Sequence, residues 1–126
     1  MISADPLVRE SMDLVAGDVR RRLREPFDAL EASDGVKGMA LAWRHLPEVV
    51  IADEITGRAG AFAVAMDLKG ADPPFPGIVV ILLDRPQDEW LARWSGADAW
   101  FDKPINPFEV SDTVTRLLEA RRAQTA

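Results

Sequence analysis

Two short apolar runs of this chain stop on groups that can carry or neutralise charge. Val49-Val50-Ile51-Ala52 runs into Asp53, and Ala99-Trp100-Phe101 runs into Asp102, Lys103 and Pro104. Short continuous apolar runs bounded by polar residues read as strands buried on both faces, the pattern of a parallel sheet covered by helices. In such a sheet chemistry collects at the carboxyl ends of the strands, so Asp53 and Lys103 fall on one edge although they lie far apart in sequence. A lysine beside a carboxylate can stabilise a phosphoryl group carried on that carboxylate by neutralising charge on its oxygens. The plainer alternative is an ion pair at a sheet edge, and these two residues alone favour it.

The elements that position this edge alternate. A first helix is predicted from Pro6 to Arg24, with Val8, Met12, Val15, Val19 and Leu23 at spacings of three and four, and Pro26 closing it. Asp5 before Pro6 is the pattern of an N-cap with proline at the first helical position. Phe27 to Ala32 reads as a short strand, Ser33-Asp34-Gly35 as a turn, and a second helix carries Met39 and Trp43 and ends before Pro47. Val49 to Ala52 is the next strand. Thr56-Gly57-Arg58-Ala59-Gly60 is a loop, Ala61 to Lys69 a helix, and the proline-rich Ala71 to Gly77 another loop. Ile78 to Leu83 is a strand, Gln87 to Trp94 a helix, and Ala99 to Phe101 the last strand. Pro107 opens a final helix with Phe108, Val114, Leu117 and Leu118 inward and the chain frayed from Ala120. Alternation of this kind predicts an α/β sandwich around a parallel sheet, in one domain over residues 1–126.

Composition narrows the function classes. The 126 residues are 48% hydrophobic and 29% charged, and no run approaches the roughly 18 apolar residues that span a bilayer. No signal segment opens the chain, and the absence of cysteine fits a cytoplasmic protein. A net charge of -6 argues against a nucleic-acid surface, and the Arg20-Arg21-Arg22 and Arg24 cluster reads as a solvated helix face. There is no phosphate-binding glycine loop and no nucleophile elbow, and the single His45 falls at a helix end as a surface residue. Nothing here marks an enzyme.

Three segments, Asp5-Pro6-Leu7-Val8-Arg9-Glu10, Leu46 to Asp53, and Gly96-Ala97-Asp98-Ala99-Trp100-Phe101-Asp102-Lys103-Pro104, occur in the order found in the receiver domain of bacterial two-component response regulators, which the chain resembles over nearly its whole length. The resemblance implies a flavodoxin-like three-layer sandwich with five parallel strands in the order 2-1-3-4-5. It implies that Asp53 is the phosphoacceptor, Lys103 the lysine that contacts the phosphoryl group, and Trp100 the aromatic residue that reorients on activation. It also implies a cis bond before Pro104, turning Lys103 toward Asp53. Three family positions are changed. Ser3 and Ala4 stand where a pair of acidic residues holds magnesium, Leu83 stands where a hydroxyl binds the phosphoryl group, and Gly57 replaces a proline after the phosphoacceptor. With Asp53 as the one well-placed carboxylate, magnesium is expected to bind weakly, because that ion needs oxygen ligands of this kind. Asp5 and Asp84 are the candidates to substitute, and capping is the reading placed ahead for both.

Only Met1 and Ile2 precede Ser3, so the first strand, central in that order, is expected to be short. Either the chain naturally begins earlier, or the sheet is completed in another way, such as a strand borrowed from a second copy. Trp90 and Trp94 lie four apart on the fourth helix beside Trp100; Trp90 and Trp100 are assigned to a docking surface and Trp94 to the core. Within these residues no output domain is expected after the last helix. The first functional reading is a receiver that accepts a phosphoryl group on Asp53 from a histidine kinase or phosphotransfer protein. The alternative is a degenerate receiver acting by phosphorylation-independent contact, with a homodimer among its assemblies. An unrelated flavodoxin-like small-molecule binder comes last.

Overall fold

A computed structural model describes residues 1–54 and 60–125 of the chain. Its elements run α1 (Pro6–Leu23), α2 (Gly35–His45), β1 (Val49–Asp53), α3 (Ala61–Lys69), β2 (Ile78–Leu83), a single 3-10 turn (Pro86–Asp88), α4 (Glu89–Trp94), β3 (Ala99–Asp102) and α5 (Pro107–Thr125). The three strands are parallel in the order β1-β2-β3. Register pairs Ile51 with Val80 and Asp53 with Leu82, then Ile81 with Trp100 and Leu83 with Asp102.

Local chemistry sets the helix ends. The Leu7 N–H donates to the Asp5 carboxylate at 2.9 Å and Pro6 opens α1. The Lys37 N–H donates to Asp34 at 2.8 Å to cap α2. Both helices close on a non-glycine residue at positive φ, Arg24 at 56° and Leu46 at 47°, the left-handed conformation that exposes the next residue to a new direction.

β2 is buried along its whole length, so its alternating side chains feed two cores. Ile78, Val80 and Leu82 meet Met12, Val15 and Val19 of α1 and Val110, Val114 and Leu118 of α5. Val79, Ile81 and Leu83 face Ala61, Val64, Ala65 and Leu68 of α3 and Ala42 of α2 on the other side. The result is helices, sheet, helices, the three layers expected of a doubly wound α/β fold. The Asp98 carboxylate ties β3 to β2 by accepting the Val79 N–H at 2.7 Å while pairing with Lys69 at 2.8 Å.

Five full strands are not formed among the described residues. Ile2 makes isolated parallel bridges to Ala32 and Ala52, so the expected first two strands are reduced to single residues beside β1. Only one residue precedes Ile2, and Phe27 to Ala32 carries Asp28 and Glu31 without the apolar alternation a strand needs. Three other expectations change. Phe108 is 67% exposed, under the Arg22 guanidinium rather than in the core. Trp94, assigned to the core, is 64% exposed because the six-residue α4 turns inward on Ala92. The chain stays helical from Ala120 to Thr125, where Arg122 pairs with Glu25 and Glu48. The expected loop at 56–60, with Gly57, lies outside the described residues except for Gly60.

Candidate functional site

Asp53 ends β1 and Lys103 follows β3, and the sheet brings them together as the spacing suggested. The Lys103 ammonium pairs with Asp53 Oδ1, and the Ser3 hydroxyl donates to Asp53 Oδ2 at 2.8 Å. The Lys103–Pro104 bond is cis. Asp53 is only 2% exposed, so both carboxylate oxygens are taken up inside the protein. Lys103 also donates to Asp84 Oδ1 at 3.0 Å, which makes it a bridge between a buried and an exposed carboxylate. Burial draws the Lys103 pKa down, but its hydrogen bonds to Asp53 and Asp84 outweigh burial and leave it above the ordinary lysine value.

Ser3 is held from several sides. Its N–H donates to Ala32 O at 3.0 Å, its carbonyl accepts from the Arg9 guanidinium, and its Oγ accepts the Asp5 N–H at 3.0 Å. Oγ therefore takes one hydrogen bond and spends its proton on Asp53. Its position at the end of the vestigial first strand was legible in the sequence, but its role as a hydroxyl donor to Asp53 was not.

Glu54 was also missed, because one acidic residue after a strand carries no motif. Its carboxylate accepts the backbone N–H of Asp84 and, at 3.3 Å, that of Arg85, so it holds the loop after β2. Burial and a hydrogen bond with the Asp88 side chain push the Glu54 pKa up. Asp88 moves down, through its hydrogen bonds with Glu54 and with Arg85, whose guanidinium meets both Asp88 oxygens at 3.0 and 3.1 Å.

Magnesium would need several oxygen ligands converging on one point. The Asp53 oxygens are engaged by Ser3 and Lys103, Asp84 turns to Lys103, and Asp5 is spent on the α1 cap. Among the described residues no group of three or more acidic or histidine side chains is placed to hold a metal. The residues present therefore do not fit the ion. Leu83, at the expected hydroxyl position, is fully buried and offers no polar atom.

On the neighbouring face Trp90 and Trp94 are 63% and 64% exposed. Trp100 is half-buried against the α2–α3 side core, with the Arg93 guanidinium 5.6 Å from its ring centre. Two members of the arginine cluster are engaged within the molecule: Arg20 lies over Phe27, and Arg22 binds Asp18 and Asp112. His45 is exposed at the end of α2, and no described helix is long and apolar enough to cross a membrane.

No protein-family model matches the chain. It is 28% identical over 103 residues to the alkaline phosphatase synthesis transcriptional regulatory protein of Bacillus subtilis, covering 82% of this chain and 42% of that protein. It is 37% identical over 73 residues to an uncharacterized response regulatory protein of Mycobacterium tuberculosis, covering 58% of this chain and 54% of that protein. The chain thus spans about half the length of these curated relatives, or less. Among solved structures, the signal receiver domain of a signal transduction histidine kinase from Syntrophus aciditrophicus superposes with a TM-score of 0.79 at 20% identity, over 94% of this chain and 87% of that one.

Proposed function

The chain belongs to the receiver domains of response regulators, and from that premise we propose a receiver that signals by protein contact with its Asp53 site closed to phosphoryl chemistry. The observation that carries this reading is the double engagement of Asp53, 2% exposed, by the Ser3 hydroxyl and the Lys103 ammonium. An incoming phosphoryl group needs a free carboxylate oxygen and a cation opposite it. Here the oxygen toward Ser3 is hydrogen-bonded, and Ser3 and Ala4 supply no charge to hold a metal. The surface offered to a partner is formed by α4, β3 and the start of α5, with Trp90 and Trp94 as exposed anchors and Trp100 set into its floor.

The pairing of Lys103 with Asp53 favours a second reading, in which a histidine kinase or phosphotransfer protein in the cytoplasm donates a phosphoryl group to Asp53. Acetyl phosphate with millimolar magnesium, read by intact mass and peptide mapping, separates the two. The expected result is an unlabelled Asp53 and no magnesium-dependent change in tryptophan fluorescence. Rapid, magnesium-dependent labelling of Asp53 overturns the first reading in favour of the second.

A further inference from the structure

An open cleft of about 600 Å³ runs along α2, a volume in the range that holds a small molecule. Arg9 comes to it from α1, Glu31 from the segment that joins the two helices, and Lys37, Ala40, Leu41 and Arg44 from α2. Three cations and one carboxylate therefore line it, in a chain whose formal net charge is -6.

Helical spacing builds the α2 wall. Lys37, Ala40, Leu41 and Arg44 fall at spacings of three and four and form one stripe, while Gly35, Gly38 and Ala42 are buried. The two ends of that stripe are cationic and its middle is aliphatic. On the other long helices and on α4, cations find an acid one turn away: Arg22 pairs with Asp18, Arg93 with Glu89, and Arg116 with Asp112. α2 contains no acidic residue, so that pairing is closed to Lys37 and Arg44. Asp34, just before the helix, caps it by accepting the Lys37 backbone N–H at 2.8 Å. Among the described residues neither the Lys37 ammonium nor the Arg44 guanidinium has an ion pair or hydrogen bond. Arg9 differs from both. It is half-buried, donates to the Ser3 carbonyl and meets Glu31 at 3.7 Å, beyond hydrogen-bond length. Glu31 thus answers one cation of the cleft, and the two on α2 are left over.

We propose that this cleft binds a small organic molecule with an anionic group at each end and a short aliphatic chain between them. Lys37 and Arg44 stand seven residues apart, about 10 Å along the helix axis at about 1.5 Å per residue. Each serves a separate anionic group, and Ala40 and Leu41 receive the chain that joins the two. Phosphate and carboxylate both match a guanidinium fork, so either acid satisfies the charge requirement. Arg9, fixed by Ser3, adds a third cation that needs no ordering when the ligand arrives.

The test titrates the whole chain with two probes of matching span, the bisphosphate of a straight six-carbon diol and octanedioate. Inorganic phosphate and octanoate are the single-ended controls. Backbone amide shifts in about 20 mM salt report both the site and the affinity. At least one two-ended probe should bind one per chain with Kd below about 1 mM, moving the amide signals of Lys37, Leu41 and Arg44. The tighter of the two assigns the acid groups as phosphate or carboxylate. Each single-ended control should bind at least about tenfold more weakly than its two-ended counterpart. Lys37→Gln and Arg44→Gln should each weaken the better probe about tenfold, with Tm changed by no more than about 2 °C because both side chains are exposed. The proposal is overturned if neither probe moves these signals at about 10 mM, or if a single-ended control binds as tightly as its counterpart. Undiminished binding by the two variants also overturns it, since the anion then sits elsewhere on the chain.

Discussion

Replacing Lys103 by methionine keeps most of the side-chain volume and removes the cation, which leaves Asp53 buried without its counter-charge. Breaking a buried ion pair by removing one partner costs about 3–5 kcal/mol, whereas removing both partners is far cheaper. Two features of this site move the expectation to the low end. Ser3 still donates to Oδ2, and Lys103 itself is 23% exposed, so water reaches the site once the ammonium is gone. Lys103→Met should therefore cost about 3 kcal/mol at pH 7, equivalent to about 11 °C in Tm for 126 residues. Asp53→Asn in the same background should recover about 2 kcal/mol, a coupling of the size expected for contacting residues. The pH dependence has a defined sign. The Lys103 pKa is raised above its ordinary 10.5, so its contribution is complete below that value and is lost as pH rises through the raised one. Wild type and Lys103→Met should accordingly converge in strong alkali. Urea denaturation of the four proteins of the cycle, followed by tryptophan fluorescence, measures all of this. A loss below about 1 kcal/mol for Lys103→Met, or a double variant less stable than it, would refute the claim that Asp53 is held by a buried pair.

Glu54→Gln should raise stability slightly at pH 7 by removing a carboxyl whose raised pKa disfavours its ionised form, and the gain should vanish below pH 4.5; urea midpoints at pH 4 and pH 7 check it. Asp5→Ala should cost about 1 kcal/mol through loss of the α1 cap, with no change in the environment of Asp53, as read by thermal melts and amide shifts. Ser3→Asp with Ala4→Asp should create millimolar magnesium affinity, detected by calorimetry, and a chain that still ignores the ion would mean that more than the lost carboxylates closes the site. Trp90→Ala with Trp94→Ala should change stability by no more than about 0.5 kcal/mol, because both rings are mostly exposed, while weakening self- or partner association measured by sedimentation at least about tenfold.

The positions that were legible in the sequence are those whose neighbours are set by periodicity. β1, β2 and β3 are continuous apolar runs, and once they lie parallel their ends must put Asp53 beside Lys103. Met12, Val15 and Val19 follow from helical spacing alone. What was not legible depends on partners distant in sequence or on length. Phe108 falls at an apolar helical position but is drawn out under Arg22, a contact between α1 and α5 that no local pattern encodes. Trp94 was assigned to the core, yet it lies exposed, because α4 is six residues long and covers only Ala92. The end of α5 was expected to fray, yet Arg122 closes it by reaching Glu25 and Glu48, charges that lie 97 and 74 residues away.

The substitutions at the receiver positions act as one set rather than as separate losses. A metal and a phosphoryl oxygen would place positive charge and a new acceptor between Asp53, Lys103 and the loop after β2. In their place Ser3 supplies a neutral donor to Asp53, Asp84 supplies the second carboxylate on Lys103, and Glu54 takes the N–H groups of Asp84 and Arg85. The loop after β2 is thus held by Lys103 at Asp84 and by Glu54 at the N–H groups of Asp84 and Arg85. Leu83 completes the arrangement: with no exposed surface and no hydroxyl, it seals the end of β2 into the core that Trp100 packs against. A device that normally moves between two states needs a contact made in one and absent in the other. Among the described residues these contacts are already made, which is why the proposed reading has the Trp90–Trp94 face presented without a switch.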